Sequence, residues 1–172
     1  MKNTQKWLAV VGTREVDDEI RADIETYVMA KFAEGYSIVS GGATGADHEA
    51  ARIAYSYGLG ADRFRIYLPV ELQVYCDSLV TRGRAGKCRL EDANETTDLL
   101  GHISATLPGV ISDKTPYIAV DAESFHARNC QVVDLADELV AFRTNMSPGT
   151  TFTIEQAQTK SIPVMVFDYK RL

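Results

Sequence analysis

The amino-acid sequence predicts an α/β fold: one doubly wound, mainly parallel sheet with helices on both faces. The continuous apolar run at residues 7–11 and the largely apolar segments at 36–39 and 64–68 have the length of strands, and the first two are each followed by a segment of helical periodicity. This alternation is typical of parallel strands joined by right-handed crossovers. No stretch rich in proline, serine or charge divides residues 1–172, so we predict a single domain.

The first two helices have recognisable ends. Apolar residues recur at helical spacing from Ile20 to Phe32 behind three acids, which favour a helix N-terminus, and Gly35 marks the end of that helix. The second helix follows the strand at residues 36–39 and is closed by Gly58. Together with the strand at 64–68, these elements form a βαβαβ unit, an arrangement that commonly binds nucleotides.

The later part of the chain is harder to interpret. Residues 99–107 fit one face of a helix, whereas residues 117–120 fit either a short strand or an extended loop. Regular patterns return near the end of the chain and predict, in order, a helix from about residue 124 to 136, a strand at 138–142, a helix at 150–160 and a last strand at 163–167.

Composition and charge narrow the class of protein. The 45% of hydrophobic and 24% of charged residues are ordinary for a globular protein and argue against disordered and fibrous classes. The short apolar run near the N-terminus is no signal peptide, and three cysteines outside any metal-ligand spacing favour reduced thiols. We therefore expect a cytoplasmic protein without a metal site, a cofactor or a membrane partner, and we also expect a homo-oligomer.

The net charge of −6 argues against a surface devoted to nucleic acid, because such binding depends on clustered lysine and arginine. One basic cluster does occur, at residues 82–89, and consists of Arg82, Arg84, Lys87 and Arg89. Its glycines predict a mobile loop. Such a loop either is merely solvated or holds an anion.

The most informative stretch is the glycine-rich segment at residues 38–47, where an apolar strand ends and a helix begins. Glycine lets a phosphate approach backbone N–H groups, and the start of the helix favours an anion. No Lys-Ser or Lys-Thr pair follows, so the segment is not a Walker A loop, and the alternative is a tight turn that binds nothing. The candidate phosphate-binding residues here are Ser40, Gly41, Gly42, Thr44 and Gly45.

Two further strand ends carry similar residues. Because the carboxyl ends of parallel strands meet at one edge of a sheet, we expect them to form one pocket with the glycine-rich segment, suited to a phosphate joined to a sugar or base. The candidate residues in these two loops are Gly12, Thr13 and Arg14, and Ser147, Gly149 and Thr150.

Two arginines are candidate phosphate ligands. Arg14 follows a glycine at a strand end, although it could instead pair with Asp17 or Asp18. Arg128 lies about one turn into a predicted helix, where its planar guanidinium can hold two phosphate oxygens. The alternative for Arg128 is an exposed ion pair with Asp121 or Glu123.

Four segments together resemble a known superfamily: residues 11–14, residues 38–47, the pair Arg128 and Asn129, and residues 147–150. The chain is similar to the Rossmann-like nucleotide-binding superfamily that includes the Lonely Guy phosphoribohydrolases, the lysine-decarboxylase-like proteins and DNA-processing protein A. This resemblance implies a nucleotide or nucleotide-like ligand at the glycine loops. In proteins that resemble DNA-processing protein A, the Ser-Gly-Gly loop and the Arg-Asn segment lie near single-stranded DNA.

Two functions follow from these observations. The leading hypothesis is a protein that binds a nucleotide and either senses it or hydrolyses its N-glycosidic bond, with Glu155 or Asp47 as the carboxylate and Arg128 or Arg14 as the phosphate clamp. Asp47 could instead only complement the helix dipole, and Glu155 could be solvated. The alternative is a non-enzymatic module that binds single-stranded DNA or a signalling nucleotide.

Overall fold

The protein is described here by a computed structural model covering residues 4–172, which contains a six-stranded parallel sheet. Every pair of neighbouring strands is parallel, and the order across the sheet is β4-β3-β2-β1-β5-β6. The strands are β1 (Trp7–Gly12), β2 (Ser37–Ser40), β3 (Phe64–Tyr67), β4 (Ile111–Ser112), β5 (Glu138–Thr144) and β6 (Val164–Tyr169). The chain runs outward from β1 to β4 and then returns to the other side of β1, so the strand order reverses beside β1.

Helices cover both faces of this sheet, as a doubly wound fold requires. Alternate residues of β1 point to opposite faces: Leu8 and Val10 lie in one apolar core with α1 to α4, and Ala9 and Val11 lie in a second core with α5 and α6. The helices are α1 (Asp18–Ala33), α2 (Ala46–Tyr57), α3 (Leu72–Arg84), α4 (Leu90–Thr106), α5 (Ala122–Leu135) and α6 (Pro148–Thr159). The predicted Rossmann-like α/β class is confirmed.

Helix caps explain where several of these elements begin. The Asp17 side chain accepts a hydrogen bond from the backbone N–H of Ile20 at the start of α1. At the start of α5, Asp121 and Ser124 form a capping box, in which each side chain bonds the other residue's backbone N–H. The helix therefore begins at Ala122, slightly earlier than the apolar pattern predicts.

The prediction of a mobile loop across residues 82–89 is wrong for its first half. Arg82 and Arg84 belong to the last turn of α3, where positive side chains interact favourably with the negative end of the helix dipole. Gly83 is buried, and a Cβ built on it would lie 2.9 Å from Leu90 Cδ1 and 3.0 Å from Leu90 Cα. This glycine lets α3 and α4 approach each other closely. It therefore serves the packing of the two helices and does not mark a mobile loop.

The middle of the chain differs further from the prediction: α3 was not predicted, and α4 begins at Leu90, earlier than the helical face predicted at residues 99–107. Residues 117–120 form an extended loop and not a strand, while the edge of the sheet is the short β4. Within residues 4–172, no helix combines the length and the apolar composition needed to cross a membrane.

Candidate functional site

A cleft of about 720 Å³ opens at the carboxyl edge of the sheet, where the strand order reverses beside β1. Ligands commonly bind at such a position in doubly wound sheets, and the volume lies in the range of small-molecule sites. The loops after β1, β2 and β5 all reach this cleft, together with α5. The predicted residues that line it are Gly12, Thr13, Arg14, Gly41, Asp47, Arg128, Asn129, Ser147, Gly149 and Thr150.

Backbone hydrogen bonds of Thr13 join the loop after β1 to strand β5 and to helix α2. The Thr13 N–H donates to the carbonyl of Phe142 at 2.8 Å, and the Thr13 carbonyl accepts from the Ala46 N–H at 2.9 Å. A Cβ on Gly12 would lie 2.3 Å from the Phe142 carbonyl oxygen, so β1 and β5 are close here because Gly12 has no side chain. Thr13 thus connects the end of β5 to the start of α2.

Four residues predicted to bind phosphate do not line the cleft: Ser40, Gly42, Thr44 and Gly45. The Ser40 hydroxyl donates to the Val10 carbonyl at 2.8 Å within the sheet. Gly42 and Gly45 have φ of +71° and +79°, and a Cβ on Gly45 would lie 2.1 Å from the Thr13 carbonyl oxygen. Backbone conformation and packing against neighbouring groups therefore account for these two glycines.

The two predicted catalytic carboxylates lie in different surroundings. Glu155 is exposed on α6 and lies outside the cleft, which α6 instead contacts through Thr150 and Thr153. Asp47 is 6% exposed, and its Oδ2 accepts the Ala43 backbone N–H at 3.2 Å. Burial raises the pKa of the Asp47 carboxyl, and the opposite charge of Arg128 partly offsets this rise.

Arg128 is 4% exposed and is part of the wall of the cleft. Its guanidinium donates to the Gly41 carbonyl and, at 2.8 Å, to the Asn129 Oδ1. The alternative of an exposed ion pair with Asp121 or Glu123 is therefore wrong: Arg128 is buried and faces the glycine-rich segment. The hydroxyl of the buried Tyr75 donates to the next carbonyl of that segment, Gly42, at 3.1 Å.

Arg14 is exposed at the cleft and does not pair with the acids beside it in sequence. Asp17 caps α1 and pairs with Arg171, and Asp18 pairs with Arg21. The Arg14 guanidinium instead lies 5.1 Å from the centroid of the Phe125 ring, and the Arg128 guanidinium lies 5.4 Å from that centroid.

Several arginines lie near one another at this end of the sheet, beside the carboxylate of Asp47. Partial desolvation lowers the pKa of Arg14, and the nearby positive charges of Arg82 and Arg128 lower it further. Within residues 4–172, these three arginines form no ion pair with a carboxylate, unlike the arginines at positions such as 21, 143 and 171. Arg89 also lines the cleft, where its closest carboxylates, Glu91 and Asp92, are 3.7 Å away.

The basic cluster at residues 82–89 is evident from the sequence, but its position in the fold is not. Phe125 and Tyr75 were not predicted to be neighbours of the site. One local signal was available: Phe125 and Arg128 are three residues apart, a spacing that brings side chains together on a helix. No local signal indicates that Tyr75 reaches the glycine-rich segment, because 33 residues separate it from Gly42.

The comparisons with known proteins agree with this architecture. The family model described as DNA recombination-mediator protein A matches residues 1–61, which include β1, α1, β2 and α2. No curated protein matches the sequence.

Three solved structures share the fold. DNA processing protein A from Helicobacter pylori, described for its single-stranded DNA binding mode, has a TM-score of 0.66 and 22% identity over 95% of this chain and 66% of its own. DNA processing protein A from Streptococcus pneumoniae has a TM-score of 0.65 and 19% identity over 94% of this chain and 50% of its own. The structural genomics target TM1055 has a TM-score of 0.55 and 18% identity over 93% of this chain and 72% of its own.

The predicted resemblance to this superfamily is confirmed. The chain spans just under two thirds of the Helicobacter pylori protein and half of the Streptococcus pneumoniae protein. At these identities, the likeness to the solved structures shows the fold that the chain shares with them.

Proposed function

We propose that the cleft at the carboxyl edge binds single-stranded DNA through its phosphate backbone. The observation that carries this proposal is that Arg14 and Arg128 line the cleft and, within residues 4–172, form no salt bridge, although the buried carboxylate of Asp47 lies near both. The charge of Arg82 also acts on Arg14. Phosphates of a nucleic acid strand would add negative charge beside these arginines. The similarity of residues 1–61 to the DNA recombination-mediator family supports the same ligand.

Arg14 and Arg128 would contribute in different ways. Arg14 is exposed and free to contact a phosphate directly, with the Phe125 ring fixing the direction of its guanidinium. Arg128 already bonds the Gly41 carbonyl, so it would hold the glycine-rich segment in place and add its charge to the local potential. The N-terminus of α6, beside Gly149, adds backbone donors to the same wall.

An acidic protein can still bind DNA in this way, because a cleft concentrates the field of the charges that line it. The net charge of −6 belongs to the whole chain, whereas Arg14, Arg89 and Arg128 line one cleft at the carboxyl edge of the sheet. The remaining acidic surface would limit binding to the cleft.

A second candidate is a mononucleotide bound in the same cleft, with or without hydrolysis of its N-glycosidic bond. The cleft volume of about 720 Å³ favours this candidate, since it suits a ligand of that size. The carboxylates favour it less: Glu155 lies outside the cleft, and Asp47 is buried and already accepts a backbone hydrogen bond. Release of free base from nucleoside monophosphates, followed by chromatography, tests this candidate.

Fluorescence anisotropy with a labelled oligo(dT) tests the main proposal. We expect the logarithm of the association constant to fall linearly with the logarithm of salt concentration, and Arg14→Ala to weaken binding about tenfold at low salt. The salt slope should decrease by roughly 0.7 when this one phosphate contact is lost. The measurement is a titration at several salt concentrations.

Lys160→Ala is the matched control, because it removes one positive charge from the far end of α6, at the amino edge of the sheet. This control should retain both the affinity and the slope of the wild type. Equal losses of affinity in Arg14→Ala and Lys160→Ala would show that binding depends on net charge and not on the cleft. Absence of wild-type binding at low salt would refute the proposal itself.

A further inference from the structure

An aromatic pair joins α5 and α6 beside the cleft. The imidazole of His126 stacks on the ring of Phe152, with centroids 4.3 Å apart and an angle of 17° between the planes. His126 precedes the cleft residue Asn129 by about one helical turn, and Phe152 follows the cleft residue Gly149 by a similar interval. The pair does not line the cleft itself but lies on the two helices, α5 and α6, that supply Asn129 and Gly149 to its wall.

The two rings differ in exposure. Phe152 is half-buried, whereas His126 is exposed, so the imidazole rests on Phe152 and still has surface in contact with solvent. Within the described residues, the His126 side chain makes no hydrogen bond or ion pair that would use its polar atoms. What His126 offers to a ligand is a flat, supported aromatic surface.

We propose that the His126–Phe152 stack is a platform for one unpaired base of the DNA strand whose phosphates lie in the cleft. This inference rests on the proposed function. Every base has a flat π-face, so stacking on an aromatic side chain suits a strand of any sequence. Phe152 keeps the imidazole in a fixed orientation, which lowers the entropy cost of stacking.

A comparison of two probes separates this role from a phosphate contact. One probe is oligo(dT), and the other is an oligomer of the same length made of abasic units, which keeps the phosphates but has no bases. The wild-type protein should bind oligo(dT) more tightly than the abasic oligomer. His126→Ala should weaken binding of oligo(dT) by about tenfold and leave binding of the abasic oligomer unchanged.

His126→Phe tests the aromatic surface without the imidazole nitrogens. It should retain the wild-type affinity for oligo(dT), because phenylalanine can also stack on Phe152. His102→Ala removes an exposed histidine of α4 that does not line the cleft, and it should bind both probes as the wild type does. Melting temperatures of all variants show whether the stack also contributes to folding.

Several results would overturn the inference. Equal losses for the two probes in His126→Ala would indicate a phosphate contact or a purely structural stack, and an equal loss in His126→Phe would exclude stacking. A wild-type protein that binds both probes equally well, or a His126→Ala protein that binds oligo(dT) normally, would refute the platform alone. A wild-type protein that binds neither probe would refute the proposed function and the platform with it.

Discussion

Gly45 illustrates how a residue predicted to bind phosphate instead serves the fold. Its φ of +79° is unfavourable for any residue with a Cβ, and that Cβ would lie 2.1 Å from the Thr13 carbonyl oxygen. We expect Gly45→Ala to lower the free energy of unfolding by about 3 kcal/mol or more, because strain and a backbone clash combine. Urea denaturation followed by circular dichroism measures this loss.

Gly35 provides the matched control at the same scale. Its φ is +87°, but no atom lies within 4 Å of the Cβ that alanine would add. Gly35→Ala should therefore lose about 1 kcal/mol, from strain alone. Similar denaturation midpoints for the two variants would mean that the contact with Thr13 does not restrict Gly45.

At the scale of elements, the contact between α3 and α4 can be tested with two helical glycines. Alanine normally stabilises a helix relative to glycine by roughly 0.5–1 kcal/mol. We expect Gly101→Ala to follow this rule, because the space beside Gly101 is open, and Gly83→Ala to destabilise the protein instead, because its Cβ would press on the backbone of Leu90. Denaturation midpoints that move in opposite directions would support this packing, and two stabilised variants would contradict it.

The same elements show how far the sequence predicts the fold. β1 was predictable because a strand buried on both faces is a continuous apolar run, and β2 and β3 because they are largely apolar segments of strand length. Helix α3 was not predicted, since arginine and glycine at residues 82–84 also suit a loop, and only the position of Leu90 shows why Gly83 belongs in a helix. β4 has two residues, too few for a periodic pattern.

The candidate site was predictable in its location but not in its detailed contacts. The rule that parallel strands end at one edge brings Arg14, Gly41 and Gly149 to a common cleft without any tertiary information. The orientation of each side chain depends on partners that are distant in sequence. The Ser40 hydroxyl donates to the Val10 carbonyl, and the charge of Arg82 acts on Arg14 from helix α3.

At the scale of the whole molecule, charge and shape together predict a preference for single strands. The cleft is small, and the net charge of −6 repels a polyanion that meets the rest of the surface. In a duplex the bases are paired and stacked, so they are not available to His126. We expect a duplex to bind at least about tenfold more weakly than one of its strands at the same salt concentration, and anisotropy competition measures the ratio. A duplex that competes equally well would place the binding surface outside the cleft.

The backbone bonds of Thr13 have a consequence for the energetics of recognition. Since this residue joins the end of β5 to the start of α2, the relative positions of the three loops are set when the chain folds. A ligand that arrives later finds these walls already ordered, so little of its binding free energy is spent on restricting backbone motion. Association should then resemble the docking of two preformed surfaces, with a rate governed by electrostatic attraction and a lifetime governed by the contacts made.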